Sequence, residues 1–344
     1  MVLNIRDIAR KAGVSVATIS RAINPETRCK IAPKTLISVD ALIRKYGYTP
    51  NLSARNLNKT STKTIGVIFP YFSGLFYHSH YVNILAGVSD ALLTTDYQFK
   101  TLLLRGEKEK WDHYDFKKGE HVDGLIIEHW PYFFSDKSIL ENMKIPCVVI
   151  SDLRRNVKTF FACGDQIAGG RKVAEYLFGL GHRHFSVLTG LDTSTDSQLR
   201  LKGFCDYLKA KGVSLNGRWI IRADYREDMA YERVGEVFKE RTRPTAVFCL
   251  NDQMAIGVLW KLKGLNIDCP KEVSVVGYDN EIRGQLCRPS LTSVNVPLYD
   301  LAAEGVRRII SHLKSPAAAK PLTGHVLYPV ELIVRGSTQK ASIK

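Results

Sequence analysis

Three polar side chains follow predicted strands at the points where those strands end. Arg200 lies on a helix after one apolar run, and Asn251 and Asp279 directly follow two other runs. Groups just beyond the carboxyl ends of parallel strands point into the ligand crevice of an open sheet. A guanidinium, an amide and a carboxylate together donate and accept several hydrogen bonds, which suits a ligand with many hydroxyls. Taken singly, each is more often a helix cap or a surface ion pair.

The sequence motifs of common enzymes are absent. The turn after the first predicted strand, 69–74, reads Phe-Pro-Tyr-Phe-Ser-Gly rather than Gly-x-Gly-x-x-Gly, and neither a Walker loop nor Gly-x-Ser-x-Gly occurs. The pairs His78/His80 and His182/His184 have no carboxylate or cysteine partner at the usual metal-site spacing. We therefore interpret them as surface histidines and predict no catalytic residue, metal ligand or cofactor.

The composition predicts a globular chain of two or three domains in the cytoplasm. The 344 residues are 45% hydrophobic and 24% charged, and no apolar run approaches the length of a membrane span. The N-terminus does not resemble a secretion signal. The seven cysteines are scattered and never form Cys-x-x-Cys, which favours a reducing compartment over a disulfide framework.

Positive charge is concentrated at the N-terminus. The formal net charge is +15, and residues 1–60 hold eleven Lys and Arg against three acids. A compact basic segment ahead of a nearly neutral body indicates a module that binds a polyanion such as DNA, with a solvated charged surface as the alternative.

The basic segment has the pattern of a helix-turn-helix. Asn4 and Asp7 can form a capping box for a first helix, which Gly13 ends. Ser15 can cap a second helix over 16–23, and a third is predicted from Pro33 to Gly47 with an inner face of Leu36, Val39, Ile43 and Tyr46. Two short helices joined by a tight glycine turn predict a DNA-binding fold.

The outward face of the second helix carries the predicted DNA contacts. Val16 and Ala17 suit thymine methyl groups, and Arg21 suits a two-pronged bond to guanine. The other predicted contacts in this unit suit phosphates or base edges: Ser15, Thr18, Ser20 and Asn24. Any three-helix domain has exposed residues here, so the pattern alone leaves DNA binding open.

From residue 64 the pattern changes to alternating strands and helices, which predicts two α/β lobes with doubly wound parallel sheets. Apolar runs of strand length lie at 65–69, 101–104, 124–127, 148–150, 185–188, 219–222, 246–250, 273–276 and 293–296. Helical patterns lie at 79–94, 166–180, 197–211, 227–240 and 252–264.

Several motifs in the observed order give the chain a family resemblance. They are Asp7-Ile8-Ala9, the run from Ala12 to Arg21, Tyr48-x-Pro-Asn, and Ala54-Arg55-x-Leu57. Together they resemble the lactose/galactose repressor family of bacterial transcription regulators. The resemblance implies a periplasmic-binding-protein-like body whose chain crosses three times between the lobes. It also implies a hinge helix that binds DNA through Asn51, Ala54, Arg55 and Leu57, with Leu57 wedged into the minor groove.

The same resemblance implies an effector site. Arg200, Asn251 and Asp279 match positions with which the family grips its ligand, and four aromatic residues match the cleft walls: Phe72, Phe76, Trp130 and Tyr225. Val296 stands where the family often has glutamine, and Ser151-Asp152 replaces a common Ile-Asp. The expected ligand is a carbohydrate or related polyol.

The resulting prediction is a homodimeric, ligand-controlled repressor that binds a pseudo-palindromic operator with a central CG step. The predicted domains are a DNA-binding domain at 1–48, a hinge and linker at 49–63, an effector domain at 64–338 and a tail at 339–344, which lacks a tetramerising heptad repeat. A plain solute-binding protein and a sugar-converting enzyme are the rival interpretations. The basic N-terminus opposes the first, and the missing catalytic motifs oppose the second.

Overall fold

The chain divides by its internal contacts into two units, Met1–Thr62 and Lys63–Lys344. The computed structural model describes residues 4–48, 61–71, 74–104, 122–128, 140, 143, 145–153, 157–315 and 321–342. Within these ranges no helix is both long and apolar enough to cross a membrane.

The described residues of the N-terminal unit form four helices around a small apolar core. They are α1 (Ile5–Ala12), α2 (Val16–Ile23), α3 (Pro25–Arg28) and α4 (Pro33–Tyr46). The predicted capping box is present, because Asn4 Oδ1 accepts from the Asp7 amide at 3.1 Å and Asp7 Oδ2 accepts from the Asn4 amide at 3.1 Å. Gly13 then turns the chain at a φ of 65°, which lets α2 fold back against α1. The predicted helix-turn-helix is confirmed.

The sequence analysis missed α3 and misplaced one side chain. It assigned no helix between Asn24 and Pro33, yet this stretch contains one helical turn. Arg28 ties this turn to the rest of the unit, since its guanidinium donates to the Ala22 carbonyl at 2.8 Å and pairs with Asp40. Tyr46 was predicted to face inward. It is 38% exposed and lies beneath the ammonium group of Lys11, so its ring packs on a lysine rather than in the core.

The second unit consists of two six-stranded sheets, each the centre of one lobe. The first has the order β11-β5-β4-β3-β1-β2 and the second β12-β10-β9-β8-β6-β7, and among the described strand pairs only β10–β12 is antiparallel. The strands are β1 (Thr64–Pro70), β2 (Gln98–Leu104), β3 (Gly124–Glu128), β4 (Cys147–Ile150), β5 (Phe160–Gly164), β6 (Phe185–Thr189), β7 (Ile220–Arg222), β8 (Ala246–Cys249), β9 (Ser274–Tyr278), β10 (Thr292–Asn295), β11 (Gly324–Tyr328) and β12 (Glu331–Ile333).

Helices cover both sheets. They are α5 (Ser79–Leu92), α6 (Gln166–Gly179), α7 (Thr195–Ala210), α8 (Glu227–Val234), α9 (Asp252–Gly264), α10 (Ile282–Leu286) and α11 (Leu298–Leu313), with 3₁₀ turns at Leu75–Tyr77, Gly217–Trp219 and Gly235–Phe238. The strands β1, β3, β4 and β5 are buried along their whole length, as expected for a parallel sheet covered on both faces. The predicted two-lobed α/β architecture is confirmed.

The chain crosses between the lobes three times, and the crossings lie side by side. The first crossing follows β5, the second follows β10 and the third follows β11. A Cβ atom on Gly164 in the first crossing would lie 3.1 Å from both Val296 in the second and Val330 in the third. Val296, the residue that replaces a common glutamine, is thus part of the apolar packing of the crossings, and it is 5% exposed.

Two helices of the second lobe, α6 and α7, approach each other at glycines. A Cβ atom on Gly170 would lie 2.0 Å from the carbonyl oxygen of Arg200, and one on Gly203 would lie 2.1 Å from that of Ile167. The backbones of the two helices therefore pack directly against each other at this crossing, which fixes a short distance between α6 and α7.

His182 joins the end of the chain to the second lobe. It was interpreted as a surface histidine, but it is 2% exposed. Nε2 donates to the carbonyl of Gln339 at 3.1 Å and Nδ1 accepts from the hydroxyl of Thr245 at 2.9 Å, which fixes a neutral tautomer. The interpretation was wrong because the pattern His-x-His does not reveal that the C-terminal segment covers one of the two rings.

Burial lowers the pKa of His182 below its ordinary value of 6.5, and we expect a corresponding pH dependence of stability. The unfolded chain binds a proton that the folded chain excludes, so this contribution is present above about pH 6.5 and is lost as the pH falls through the lowered pKa. Urea denaturation over a pH series measures it. The slope of the free energy of unfolding against pH should flatten in His182→Gln. It should persist in His184→Gln, since His184 is exposed. An unchanged slope in His182→Gln would assign it to other groups.

Candidate functional site

The second helix of the N-terminal unit presents the predicted recognition surface. Val16 is 41% exposed, and Ala17, Ser20 and Arg21 are also exposed. Their opposite face is the core, where Ile19 and Ala22 are fully buried. The helix thus holds one side against α1 and α4 and leaves the other free to enter a groove.

The remaining predicted contacts of this unit lie at the two ends of α2. Ser15 caps the helix, accepting from the Thr18 amide at 3.1 Å, and the two hydroxyls are 2.9 Å apart. Asn24 ends the helix and its carbonyl accepts from the Arg28 amide at 2.8 Å. The predicted hinge contacts lie outside the described residues: Asn51, Ala54, Arg55 and Leu57.

A cavity of about 1070 Å³ lies between the lobes of the second unit. It contains four of the predicted effector residues, Arg200, Tyr225, Asn251 and Asp279, which come from separate segments of the second lobe. Strand ends of one parallel sheet meet at the same edge, and this brings together residues up to 79 positions apart.

Arg200 is the buried centre of this wall. Its Nε donates to Gln166 Oε1 at 2.8 Å, and Nη1 donates to the carbonyl of Leu250. Nη2 lies 3.3 Å from Asp279 Oδ1 and 3.7 Å from Asp196 Oδ2. Burial alone would lower the pKa of Arg200, but the neighbouring carboxylates keep it raised, so the group is a permanent cation.

The guanidinium also stacks on an aromatic ring. Its carbon lies 3.8 Å from the ring centre of Tyr278, which is fully buried on β9. Both partners abut α6, where a Cβ on Gly169 would lie 2.0 Å from the Tyr278 hydroxyl oxygen. The close approach of α6 thus determines where Arg200 lies.

Asn251 and Tyr225 form a second corner of the cavity. Asn251 caps α9, with Oδ1 accepting from the Met254 amide at 2.9 Å, and its Nδ2 donates to the Tyr225 carbonyl at 3.1 Å. The Tyr225 hydroxyl lies 3.0 Å from Ser194 Oγ, and burial raises the pKa of this phenol to about 12. Tyr225 has a φ of 62°, a backbone conformation that these contacts hold in place.

The turn after β9 carries two of the carboxylates that line the cavity, Asp279 and Glu281. Asp279 adopts a φ of 95° and Asn280 one of 53°. Asp252, itself 1% exposed, fixes this turn by accepting from the Glu281 amide at 2.6 Å and from Ser293 Oγ at 2.6 Å. Burial raises the pKa of Asp252, and burial beside Asp279 raises that of Glu281 to about 7.

The described residues that the first lobe contributes to the wall were not among those predicted. They are Pro70, His78, His80 and Tyr81. His80 Nε2 lies 2.8 Å from Oε1 of the fully buried Glu128. The interpretation of His80 as a surface histidine was wrong, because its partner lies 48 residues away on β3 and no local spacing reveals it.

One contact spans the cavity from lobe to lobe. The Gln253 amide on α9 donates to Nδ1 of His78, which precedes α5, and lies 3.5 Å from Glu281 Oε1. Burial lowers the pKa of His78, as does the nearby charge of Arg283. The relative position of the lobes is therefore linked to side chains that line the cavity.

Other predicted wall residues lie elsewhere. Phe76 is 43% exposed and packs edge-on against Phe69, with ring centres 6.2 Å apart, rather than lining the cavity. Phe72 and Trp130 lie outside the described residues. Asp152 is 2% exposed and lies behind the wall, where its amide donates to Asp196 Oδ1 at 3.3 Å. Among the described residues no cluster of His, Cys, Asp and Glu could hold a metal ion.

Two family profiles match the chain. Bacterial regulatory proteins of the lacI family match residues 4–51, and a periplasmic binding protein-like domain matches residues 174–338. The first match contains the helices α1 to α4 of the N-terminal unit. The second contains Arg200, Tyr225, Asn251 and Asp279.

Known proteins are similar over nearly the full length. The HTH-type transcriptional regulator DegA of Bacillus subtilis is 29% identical, covering 98% of both chains. The HTH-type transcriptional repressor PurR of Pasteurella multocida is 28% identical, covering 97% of this chain and 98% of its own.

Solved structures agree with the fold. A complex of the transcriptional regulator CelR with cellobiose is 25% identical with a TM-score of 0.72, covering 97% of this chain and 99% of its own. A lac repressor dimer bound to operator and the anti-inducer ONPF is 22% identical with a TM-score of 0.80, covering 98% of this chain and 100% of its own.

Proposed function

We propose that the chain is a member of the lacI family of bacterial regulatory proteins and acts as a homodimeric transcription repressor whose affinity for operator DNA is set by a small carbohydrate effector. The observation that carries the proposal is the pairing of an exposed recognition helix with an interlobe cavity lined by Arg200, Asn251 and Asp279. It acts in the cytoplasm, where the operator is.

The DNA half of the proposal assigns base reading to α2. Val16 and Ala17 contact thymine methyl groups, Arg21 bonds to guanine, and the hinge residues Asn51 and Leu57 contact the minor groove. Two of the three acids in the basic segment, Asp7 and Asp40, are already paired with Arg10 and Arg28, so most of the positive charge is available for phosphates.

The ligand half assigns effector binding to the cavity. Asn251, Asp279, Tyr225 and Arg200 bond to the hydroxyls, and the protein does not convert the ligand. Binding changes the angle between the lobes and with it the pairing of the two hinges over one two-fold site. The effector can shift the fraction of protein bound to DNA only as far as its affinities for the two lobe arrangements, DNA-binding and released, differ.

Selection of bound duplexes from a random DNA pool at two salt concentrations tests this function. We expect a two-fold site with a central CG that survives the higher salt, since base contacts add to phosphate attraction. The recovered site then reports effector action in a sugar screen. Asp279→Ala should abolish the response to the effector and leave operator affinity unchanged. Recovery of no motif, with binding lost as salt rises, would contradict the regulator function, and formation of a new product would contradict pure binding.

A further inference from the structure

A second pocket lies at the opposite edge of the second-lobe sheet from the effector cavity. Its volume is about 480 Å³, and its lining residues precede or begin the strands β6, β7 and β8: Arg183, His184, Phe185, Ser214, Asn216, Arg218, Trp219, Glu240, Arg241 and Thr242. These strands are parallel, so their amino ends meet at one edge, whereas Tyr225 and Asn251 lie beyond the carboxyl ends of β7 and β8. This amino-end pocket is thus a separate site, with a volume that suits a small metabolite.

The amino-end pocket has an excess of positive charge. Its described lining carries three guanidinium groups, those of Arg183, Arg218 and Arg241, and one acid, Glu240. Glu240 Oε2 lies 3.4 Å from the indole Nε1 of Trp219, which donates to it. Within the described part of the chain none of the three arginines forms an ion pair. A concave surface lined by charge of one sign attracts ions of the opposite sign, so the pocket favours an anion.

Other arginines of the same lobe do have carboxylate partners. They are Arg222, Arg226, Arg243 and Arg283. The three arginines of the amino-end pocket therefore differ from these neighbours in keeping their donors for a group outside the chain.

Arg183 is held in a fixed orientation at the rim. Its Nη1 donates to the carbonyl oxygens of Phe178 at 3.0 Å and His182 at 2.8 Å, and its guanidinium carbon lies 3.7 Å from the ring centre of Phe178. Nε and Nη2 make no hydrogen bond within the described residues, so this edge of the guanidinium can donate two parallel bonds. Such a fork matches the spacing of two oxygens on a phosphate or a carboxylate.

Neutral donors lie beside the three cations. Asn216 Oδ1 accepts from the Arg218 amide at 3.0 Å, which leaves Nδ2 of Asn216 to donate elsewhere. The hydroxyl groups of Ser214 and Thr242 line the same pocket. The large apolar side chains of the lining offer little surface, since Phe185 is 2% exposed and Trp219 is 5% exposed. The lining is therefore suited to a compact, strongly charged ligand rather than to an apolar one.

We propose that the amino-end pocket binds a small phosphorylated metabolite, with its phosphate group between Arg183, Arg218 and Arg241. A phosphate monoester carries nearly two negative charges at neutral pH and three acceptor oxygens, so it can accept from all three guanidinium groups at once. The inference goes beyond the proposed effector function and does not depend on it. No residue lines both described pockets, so the two ligands can be bound together.

Calorimetric titration of the full-length protein in a phosphate-free buffer at neutral pH tests the site. The probes are glucose 6-phosphate and adenosine monophosphate, each paired with its uncharged twin, glucose or adenosine. We expect at least one phosphate ester to bind about tenfold or more tightly than its twin. Arg218→Gln and Arg241→Gln should each weaken this binding by roughly tenfold, because each removes one charged donor.

Arg243→Gln is the matched control. It removes the same charge two positions from Arg241, but Arg243 pairs with Glu272 at 2.7 Å and does not line the pocket. The affinity for the phosphate ester should therefore stay unchanged in this variant. An equal loss in all three variants would mean that net charge alone attracts the ester, and it would overturn the site.

The other outcomes also decide the inference. Failure of both esters to bind more tightly than their twins overturns it. Tight binding that persists in Arg218→Gln and Arg241→Gln places the phosphate elsewhere and overturns the assignment to this pocket. Variants that lose affinity for operator DNA but not for the esters would show that the pocket contacts the DNA backbone instead. The effector function stands in each case, because the sugar screen on the recovered operator tests it through other residues.

Discussion

Replacing Arg200 with leucine is expected to lower the free energy of unfolding by about 3–5 kcal/mol and to abolish effector binding. The guanidinium is 4% exposed and lies next to Asp196 and Asp279, so its loss removes a cation that both carboxylates contact in a poorly solvated wall. The Gln166 side chain and the Leu250 carbonyl lose their donor in the same change. Urea denaturation and effector titration measure the two effects.

The pair Arg200→Leu and Asp196→Leu shows which carboxylate is responsible. In the double variant we expect part of the lost stability to return, because one of the two carboxylates next to the arginine is removed with it. Arg218→Leu serves as the control, since Arg218 is exposed, and should change stability by no more than about 0.5 kcal/mol. A loss below about 1 kcal/mol for Arg200→Leu alone would mean that protons or water already neutralise the two acids.

Gly170→Ala is expected to weaken effector binding although Gly170 does not line the cavity. Its methyl group would lie 2.0 Å from the Arg200 carbonyl oxygen, so α7 must move away from α6. Overpacking of this kind costs about 1–3 kcal/mol. Because Arg200 moves with α7, its contacts with Gln166 and the Tyr278 ring are disturbed as well. Thermal or urea denaturation and effector titration of the variant measure the two losses.

Gly179→Ala is the matched control on the same helix. No atom lies within 4 Å of a Cβ at Gly179, so the substitution should be neutral or stabilise the helix by up to about 1 kcal/mol. Equal losses in the two variants would show that the close approach at Gly170 does not determine the result.

The fold was largely predictable because its signals are local. The Asn4–Asp7 capping box, Gly13 and the apolar runs of the parallel strands each lie within a few residues, and these elements match the structure. The missed strand β11 had a weaker local signal, because it is an edge strand with mostly exposed side chains and lacks an apolar run. The strand β5 was missed although it is buried along its whole length.

The candidate site was predictable only in part because its contacts are long-range. Arg200, Asn251 and Asp279 could be found from strand ends, and the structure brings them to one cavity. The pairing of His80 with Glu128 and that of Arg200 with Asp279 join residues 48 and 79 positions apart, so spacing could not reveal them. Their roles in ligand binding stay predictions.

The position of α11 delays completion of the first lobe until late in synthesis. This helix follows the five parallel strands of the second lobe in the sequence, yet it packs on β3, β4 and β5 of the first lobe, whose edge strand β11 comes later still. A nascent chain therefore carries the uncovered apolar face of the first lobe while the second is being made. Non-local closure of this kind slows folding and leaves the chain open to aggregation and chaperone binding until residue 328 has left the ribosome.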